Sequence, residues 1–195
     1  MPERRRGGVI RKSRETALDA ELTIDGAGAI EVDTGLPFLD HMLEQTARYA
    51  GFDLELRGAG DVHVDPHHLV EDAGIVVGQA LARALGERAG IARFGAAYAP
   101  LDEALARVVI DLGKRPHLAY EVPLRGRIGT LESEVLEEFW RAFSIHAGAT
   151  VHVDLVRGRN RHHCAEATFK ALGLALREAC AVRGTGTPSS KGLLG

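Results

Sequence analysis

Two near-identical pentapeptides constrain the fold of this chain more than any other feature of its sequence. His67-His68-Leu69-Val70-Glu71 recurs ninety-five positions later (162 minus 67) as His162-His163-Cys164-Ala165-Glu166. Gly78 lies eleven residues after His67, and Gly173 lies eleven residues after His162. A repeat that keeps its register over this length predicts an internal duplication, in which two βαβα-type halves pack around a pseudo-twofold axis.

Hydrophobic periodicity and turn residues predict an α+β fold with helices packed between sheets and one element order in both halves. The first half is expected to contain strands within 9–32 with a hairpin turn at 25–28, a helix at 36–49, a strand at 52–56, and a helix at 65–85 with Asp65 as its N-cap. The second half is expected to contain strands at 104–111 and 117–122, a helix at 134–147, a strand at 150–156, and a helix from Asn160 to about Cys180. The expected division is 1–88, 89–183 and a polar tail at 184–195.

Composition narrows the class of protein. The 195 residues suit one ordinary domain or two small halves that share a core. A formal net charge of -3 argues against a general nucleic-acid or membrane-surface binder, and the short Arg4-Arg5-Arg6 run is expected to be a solvated end. Two cysteines cannot build a disulfide framework, and neither a secretory signal nor a membrane span is visible. A cytoplasmic location is therefore expected.

The spacing within each pentapeptide suits metal binding. Residues three and four apart share one face of a helix, so Glu71 can pair with either His67 or His68. Adjacent imidazoles point about 100° apart and seldom serve one ion from a single helix. Two copies that face each other remove this difficulty, because one His of each copy can reach the other copy's ion. The alternative, an exposed helix start whose Glu complements the helix dipole, is disfavoured by the second copy in register.

Carrying the register of the repeat back along the chain sets His41 opposite Glu138. The predicted grouping assigns four ligands to each of two ions: His41, His68, Glu71 and His162 to one, and His67, Glu138, His163 and Glu166 to the other. Nitrogen and carboxylate donors without thiolate suit Mn²⁺, Fe²⁺ or Zn²⁺, and a His-rich site with open positions favours manganese. Cys164 is expected to be a small buried residue rather than a ligand.

Longer motifs run through nearly the whole chain in one order. They are Arg14-Glu15-Thr16, Leu36 to Leu43, Asp65 to Asp72, Arg93-Phe94-Gly95, Pro100 to Ala104, Gly158 through Ala171, and Pro188 to Gly192. Together these stretches closely resemble the imidazoleglycerol-phosphate dehydratase family. That resemblance implies a ribosomal-protein-S5-domain-2-like fold, two Mn²⁺ per active site, and a homo-oligomer of 24 subunits with its sites between subunits.

The resemblance also implies the reaction and the roles of individual residues. The reaction removes water from D-erythro-imidazole glycerol phosphate and gives imidazole acetol phosphate, a step of L-histidine biosynthesis. Glu15 is the implied acid/base, with Glu71 and Glu166 as alternatives. Further substrate contacts are implied at His41, Gln45, His67 and His162, and phosphate contacts at Arg93, Arg115, Lys170, Ser189 and Lys191.

One departure from the family pattern affects the predicted metal ligands. Where many members place a metal-binding His, this chain has Glu138. A carboxylate can replace imidazole as a Mn²⁺ ligand, so Glu138 stays in the predicted ligand set.

The ligand pattern is compatible with two other functions. A dinuclear metal-dependent phosphate-ester hydrolase would use a similar ligand set, and it would release phosphate without dehydration. A metal-storage or structural shell protein would take up metal without turnover.

Overall fold

The computed structural model describes residues 4–194 and contains two four-stranded sheets with four helices between them. The strands of the first sheet are β1 (Arg6–Lys12), β2 (Thr16–Thr23), β3 (Ile30–Asp33) and β4 (Asp53–Gly60). Those of the second sheet are β5 (Phe94–Leu101), β6 (Ala104–Asp111), β7 (His117–Glu121) and β10 (Thr150–Arg157). The helices are α1 (Pro37–Ala50), α2 (His67–Leu85), α3 (Leu136–Ala147) and α4 (Arg161–Ala179). A small hairpin of β8 (Arg127–Ile128) and β9 (Leu131–Glu132) leads into a 3₁₀ turn, Ser133–Val135, before α3.

The two sheets have the same topology. The first has the order β1-β2-β4-β3 and the second β5-β6-β10-β7, with one parallel pair at the end of each sheet. Each sheet is built from one half of the chain. The predicted α+β duplication is therefore confirmed, while the proposed boundary at residue 88 stays a prediction.

The helices cross between the halves, and glycines sit where they cross. α2 packs on α3, and α1 packs on α4. A Cβ at Gly173 would lie 2.5 Å from the carbonyl oxygen of Thr46 and 2.9 Å from the Cβ of Tyr49, both on α1. A Cβ at Gly78 would lie 2.9 Å from the carbonyl oxygen of Phe143 on α3. The matched glycines of the repeat thus allow equivalent close helix crossings.

Gly173→Ala is expected to destabilise the protein by about 1–3 kcal/mol, because the new methyl group would overlap the α1 backbone. Alanine inside a helix is otherwise about 1 kcal/mol better than glycine, so a net loss would identify the crossing as the cause. Denaturant unfolding measures the change. Gly184→Ala is the matched control, since a Cβ there would meet nothing within 4 Å. Equal or higher stability of Gly173→Ala would contradict this account of the crossing.

Two strand predictions are wrong. The turn at 25–28 does not form a hairpin, because β3 pairs in parallel with β4 rather than with β2. The sequence also failed to predict the short β8–β9 hairpin and β5, an edge strand that pairs only with β6 among residues 4–194. The predicted helices and the other strands are found with their ends shifted by a few residues at most. α2 begins at His67 with Pro66, rather than the predicted Asp65, at the N-cap position, and the Asp65 side chain accepts a hydrogen bond from the His67 N–H at 2.6 Å.

The larger of two apolar clusters found in residues 4–194 occupies the space between the sheets. Its largest side chains include Phe139, Trp140 and Phe143 of α3, and the first two of these pack against Phe169 of α4. Cys164 and Cys180 are both buried, as expected for Cys164. Across residues 4–194, no helix has the length and apolar character needed to cross a membrane.

Candidate active site

Three predicted ligands converge where α1 crosses the start of α4. Ligand atoms of His41, His162 and Glu166 all lie within 4.8 Å of one another. His162 Nε2 is 3.0 Å and His41 Nε2 is 3.3 Å from the same carboxylate oxygen, Oε2 of Glu166. Two imidazole nitrogens and one carboxylate oxygen form a donor set that could hold one divalent transition-metal cation.

Glu166 is the centre of this cluster. Only 7% of the residue is exposed, and its other oxygen accepts a hydrogen bond from Lys170 Nζ at 2.7 Å. Burial by itself would raise the pKa of Glu166, but hydrogen bonds from Lys170, His41 and His162 lower it below its ordinary value. The carboxylate is therefore held in its ionised form, which is the form that binds a cation.

The local sequence orients the start of α4. The Asn160 side chain caps the helix by accepting hydrogen bonds from the N–H groups of His162 at 2.9 Å and His163 at 3.4 Å. Residues four apart lie on one face of a helix, so His162 and Glu166 point the same way. Because α1 crosses this face, His41 meets them.

The geometry differs from the predicted grouping in two residues. His41 and His162 lie together as predicted, but the carboxylate beside them is Glu166 and not Glu71, and His68 is not part of the cluster. The reason is the packing of α1 on α4, since Glu71 lies on α2, which packs against α3. Among residues 4–194, neither Glu71 nor Glu138 belongs to a group of three ligands within this distance. The carboxylate of Glu138 instead lies 3.4 Å from Arg141 Nε.

His68 is held by carboxylates near the β1–β2 turn. Its Nδ1 is 3.2 Å from an Asp61 oxygen and 3.8 Å from Glu15 Oε2. The hydrogen bond with Asp61 raises the pKa of His68 above its ordinary value. Ser13 fixes the turn, because its hydroxyl accepts a hydrogen bond from the Glu15 N–H at 3.1 Å. The implied acid/base thus lies beside the first pentapeptide.

His163 is held in a similar way by Glu103, on the turn between β5 and β6. Its Nδ1 is 2.8 Å from Glu103 Oε2. This hydrogen bond raises the pKa of His163. Together with hydrogen bonds from the N–H groups of Asn160 and Arg159, it lowers the pKa of Glu103 to about 2. Both pentapeptides therefore have a carboxylate at the Nδ1 atom of their second His.

Four of the five predicted phosphate contacts line one surface cavity of about 200 Å³. They are Arg93, Arg115, Ser189 and Lys191. Arg93 is fixed by two hydrogen bonds to Asp111, at 2.7 and 2.9 Å, and donates a third to the carbonyl of Pro188 at 2.9 Å. The fifth, Lys170, lies at Glu166 and is not among the residues that line this cavity.

Comparison with known proteins identifies the family of this arrangement. The family model described as imidazoleglycerol-phosphate dehydratase matches residues 34–176, which include α1, the β5–β6 turn and both pentapeptides. The chain belongs to the imidazoleglycerol-phosphate dehydratase family. The resemblance inferred from the motifs is confirmed, and so is the enzyme class, a hydro-lyase.

Individual relatives and solved structures agree with the family model. The imidazoleglycerol-phosphate dehydratase of Syntrophobacter fumaroxidans is 53% identical over 100% of both chains, and that of Paraburkholderia phytofirmans is 52% identical over 95% of this chain and 97% of its own. The crystal structure of the Staphylococcus aureus dehydratase matches with a TM-score of 0.81 at 37% identity, covering 91% of this chain and 99% of that one. The structure from Pyrococcus furiosus, in complex with (S)-C348, matches with a TM-score of 0.84 at 35% identity, covering 95% and 100%.

Sequence reasoning missed the residues that orient the site. Asp61 beside His68 and Asp111 beside Arg93 were not predicted, and Glu103 was noted only as part of a family motif. None of them belongs to the repeated pentapeptides, and each lies on a loop or at a strand end. The remaining predicted residues, Gln45 and His67, lie half-buried on α1 and at the start of α2. Their roles stay predictions.

Proposed function

We propose that this chain is a Mn²⁺-dependent dehydratase that converts D-erythro-imidazole glycerol phosphate to imidazole acetol phosphate in L-histidine biosynthesis. The observation that carries the proposal is the convergence of His41, His162 and Glu166. Membership of the imidazoleglycerol-phosphate dehydratase family supports this choice of substrate. The cationic cavity around Arg93 and Lys191 supplies a separate place for its phosphate group.

The donor set supports manganese as the metal. Imidazole and carboxylate donors without thiolate suit Mn²⁺, and the buried Cys164 is not part of the cluster. When bound, Mn²⁺ would act as a Lewis acid that stabilises negative charge on the imidazole ring of the substrate. We assign His41, His162 and Glu166 to one ion, and we keep His67, His68, Glu71, Glu138 and His163 as the ligands available to a second.

We assign the proton transfers of the reaction to Glu15. In the dehydration, the carbon next to the ring loses its hydroxyl as water, and the neighbouring carbon loses a proton to give an enol that becomes the ketone. A carboxylate at this position would accept the carbon-bound proton and donate a proton to the departing hydroxide, which leaves as water. Glu15 is exposed, and its backbone is hydrogen-bonded to Ser13 and Asp61. These bonds fix the turn that carries the side chain and do not use its carboxylate.

We assign phosphate binding to the cavity lined by Arg93, Arg115, Ser189 and Lys191. Arg93 keeps a fixed orientation through Asp111, whereas Arg115 and Lys191 are exposed cations. An arginine can donate two parallel hydrogen bonds to a phosphate, and a lysine supplies a point charge. These contacts bind the unreacting end of the substrate and leave its ring to the metal cluster.

Lys191→Ala is expected to raise KM about tenfold and to leave kcat nearly unchanged, because it removes a contact made equally in the ground state and the transition state. Steady-state kinetics with the phosphorylated substrate measures both constants. Arg57→Ala is the matched control, since it removes an exposed cation that pairs with Glu31 and does not line the cavity. A fall in kcat with KM unchanged would exclude phosphate anchoring by Lys191.

We also propose that the chain forms a homo-oligomer of 24 subunits with its sites between subunits. Three of the eight predicted ligands gather within one chain, so neighbouring copies would have to complete the remaining coordination. Exposed apolar side chains, among them Ile10, Phe94 and Tyr98, supply surface for such contacts. Light scattering is expected to give 24 copies of the 20.9 kDa chain, roughly 500 kDa. A cytoplasmic location stays a prediction.

The proposed activity is tested by the identity of the products. Purified protein with Mn²⁺ is incubated with imidazole glycerol phosphate, and both the ketone and inorganic phosphate are measured. We expect the ketone and no inorganic phosphate. Inorganic phosphate without ketone would support the alternative phosphate-ester hydrolase, and bound metal without either product would support a storage role.

A further inference from the structure

We infer that Glu103 is a positioning residue for His163, and that it is the counterpart, in the second half of the chain, of the acid/base candidate Glu15. Its carboxylate would hold the His163 ring so that Nε2 remains available to a metal ion. The inference rests on the metal dependence proposed above.

The two glutamates occupy equivalent places in the duplicated fold. A Cβ at Gly7 would lie 2.1 Å from the carbonyl oxygen of Ala80 on α2, and a Cβ at Gly95 would lie 2.0 Å from that of Ala175 on α4. Ala80 and Ala175 each lie thirteen residues after the first His of their pentapeptide. The same strand-to-helix contact therefore recurs in both halves and fixes their alignment.

That alignment pairs the two turns. Glu15 lies eight residues after Gly7, and Glu103 lies eight residues after Gly95. Each directly precedes the second strand of its sheet, at Thr16 for β2 and at Ala104 for β6. The duplicated turn thus carries a carboxylate toward the start of the metal-motif helix in both halves.

The two carboxylates are engaged differently. Glu103 uses both oxygens: Oε2 lies 2.8 Å from His163 Nδ1, and Oε1 accepts the N–H groups of Arg159 at 3.0 Å and Asn160 at 2.7 Å. Glu15 lies 3.8 Å from His68 Nδ1, beyond hydrogen-bond distance, and Asp61 contacts that nitrogen instead. In the first half Asp61 makes the contact with Nδ1 of the second His, and in the second half the turn glutamate makes it.

The contact at Nδ1 decides which ring nitrogen can bind metal. An imidazole that donates its Nδ1 hydrogen to a carboxylate has its lone pair on Nε2, and such carboxylates orient the ring and increase its basicity. Glu103 therefore acts on the metal through His163 and not by direct ligation. The connection to the Arg159 and Asn160 N–H groups fixes the carboxylate in turn to the start of α4.

Glu103→Gln separates this role from a structural one. An amide has one oxygen, whereas Glu103 uses two. If that oxygen accepts the Arg159 and Asn160 N–H groups, the amide NH₂ faces Nδ1. Because NH₂ is a donor, Nδ1 must then accept, and the His163 ring must carry its hydrogen on Nε2, the nitrogen needed for the metal. We expect Mn²⁺ affinity to fall by about 10–100-fold with little change in melting temperature.

Glu178→Gln is the matched control. It makes the same chemical change at a glutamate that also accepts a backbone N–H, that of Ala96 at 2.9 Å, but at the opposite end of α4 from His163. We expect its melting temperature to change little and its Mn²⁺ affinity to stay within about twofold of the unmutated protein. Affinity is measured on the full chain by the electron paramagnetic resonance signal of free Mn²⁺, and melting is followed by circular dichroism.

The outcomes distinguish this inference from the proposed function. Mn²⁺ binding by Glu103→Gln at the unmutated affinity would overturn the positioning role alone. An equal loss of affinity in Glu178→Gln would also overturn it, since an amide in place of a glutamate far from His163 would then suffice. Failure of the unmutated protein to bind Mn²⁺ would overturn both the inference and the metal dependence.

Discussion

Glu166→Ala is expected to lose most Mn²⁺ binding and to reduce turnover by about 10³-fold or more, which corresponds to roughly 4 kcal/mol of activation free energy. The Glu166 carboxylate contacts two imidazoles through one oxygen and Lys170 through the other. Its removal takes away the one anionic donor of the cluster. It also leaves the Lys170 ammonium group, 15% exposed, without its partner beside the site that must hold a cation.

Steady-state turnover and a Mn²⁺ titration of the same preparation test this expectation. Glu31→Ala is the control, because it removes a glutamate from an exposed ion pair with Arg57 and should change neither quantity. Normal turnover and normal Mn²⁺ affinity in Glu166→Ala would show that the converged cluster is not the metal site.

Glu15→Gln is expected to reduce kcat by about 10²–10⁴-fold, the usual contribution of a general acid or base. KM and Mn²⁺ affinity should change little, since Glu15 is not in the ligand cluster and does not line the Arg93 cavity. The substitution preserves the size of the side chain and the hydrogen bonds of its backbone to Ser13 and Asp61. The expected reduction in kcat would therefore reflect the loss of proton transfer by Glu15.

A single-turnover measurement at saturating substrate separates the chemical step from binding and product release. Glu31→Gln makes the same chemical change at an exposed ion pair, and its rate should match that of the unmutated protein. An unchanged rate in Glu15→Gln would remove Glu15 from the reaction and favour Glu71 or Glu166 as the base.

The parts of the fold that the sequence predicted best are those with a strong local signal. Helical periodicity and the Asn160 cap predicted all four helices, and the repeated pentapeptide predicted the duplication. The partner of β3 could not be predicted from Asp25 to Gly28, because the choice between a hairpin and a parallel pairing depends on how α1 crosses the sheet. β5 was missed because it is an edge strand containing Pro100 and small residues, which tolerate an edge but do not indicate a strand.

In the site, too, features that depend on local spacing could be predicted and features that depend on helix packing could not. The identity of the candidate ligands followed from their spacing on helices, but their grouping depends on which helices pack together. His41 and Glu166 are 125 residues apart in the sequence (166 minus 41), and only the contact between α1 and α4 brings them together. The carboxylates that hold the second His of each motif, Asp61 and Glu103, lie on loops without periodic signal. Aligning Gly7 with Gly95 would have paired Glu15 with Glu103, but the close strand-to-helix contacts that justify this alignment are visible only in the structure.

Formation of the ketone by metal-stripped protein, before and after Mn²⁺ is restored, tests the central claim most directly. The protein is freed of metal with a chelator, dialysed, and supplied with imidazole glycerol phosphate. We expect almost no imidazole acetol phosphate until Mn²⁺ is added, then full recovery of dehydration, and no recovery in His162→Ala. Ketone formation at the full rate by the metal-free protein, or by His162→Ala, would contradict a metal-dependent dehydration at the duplicated helix starts.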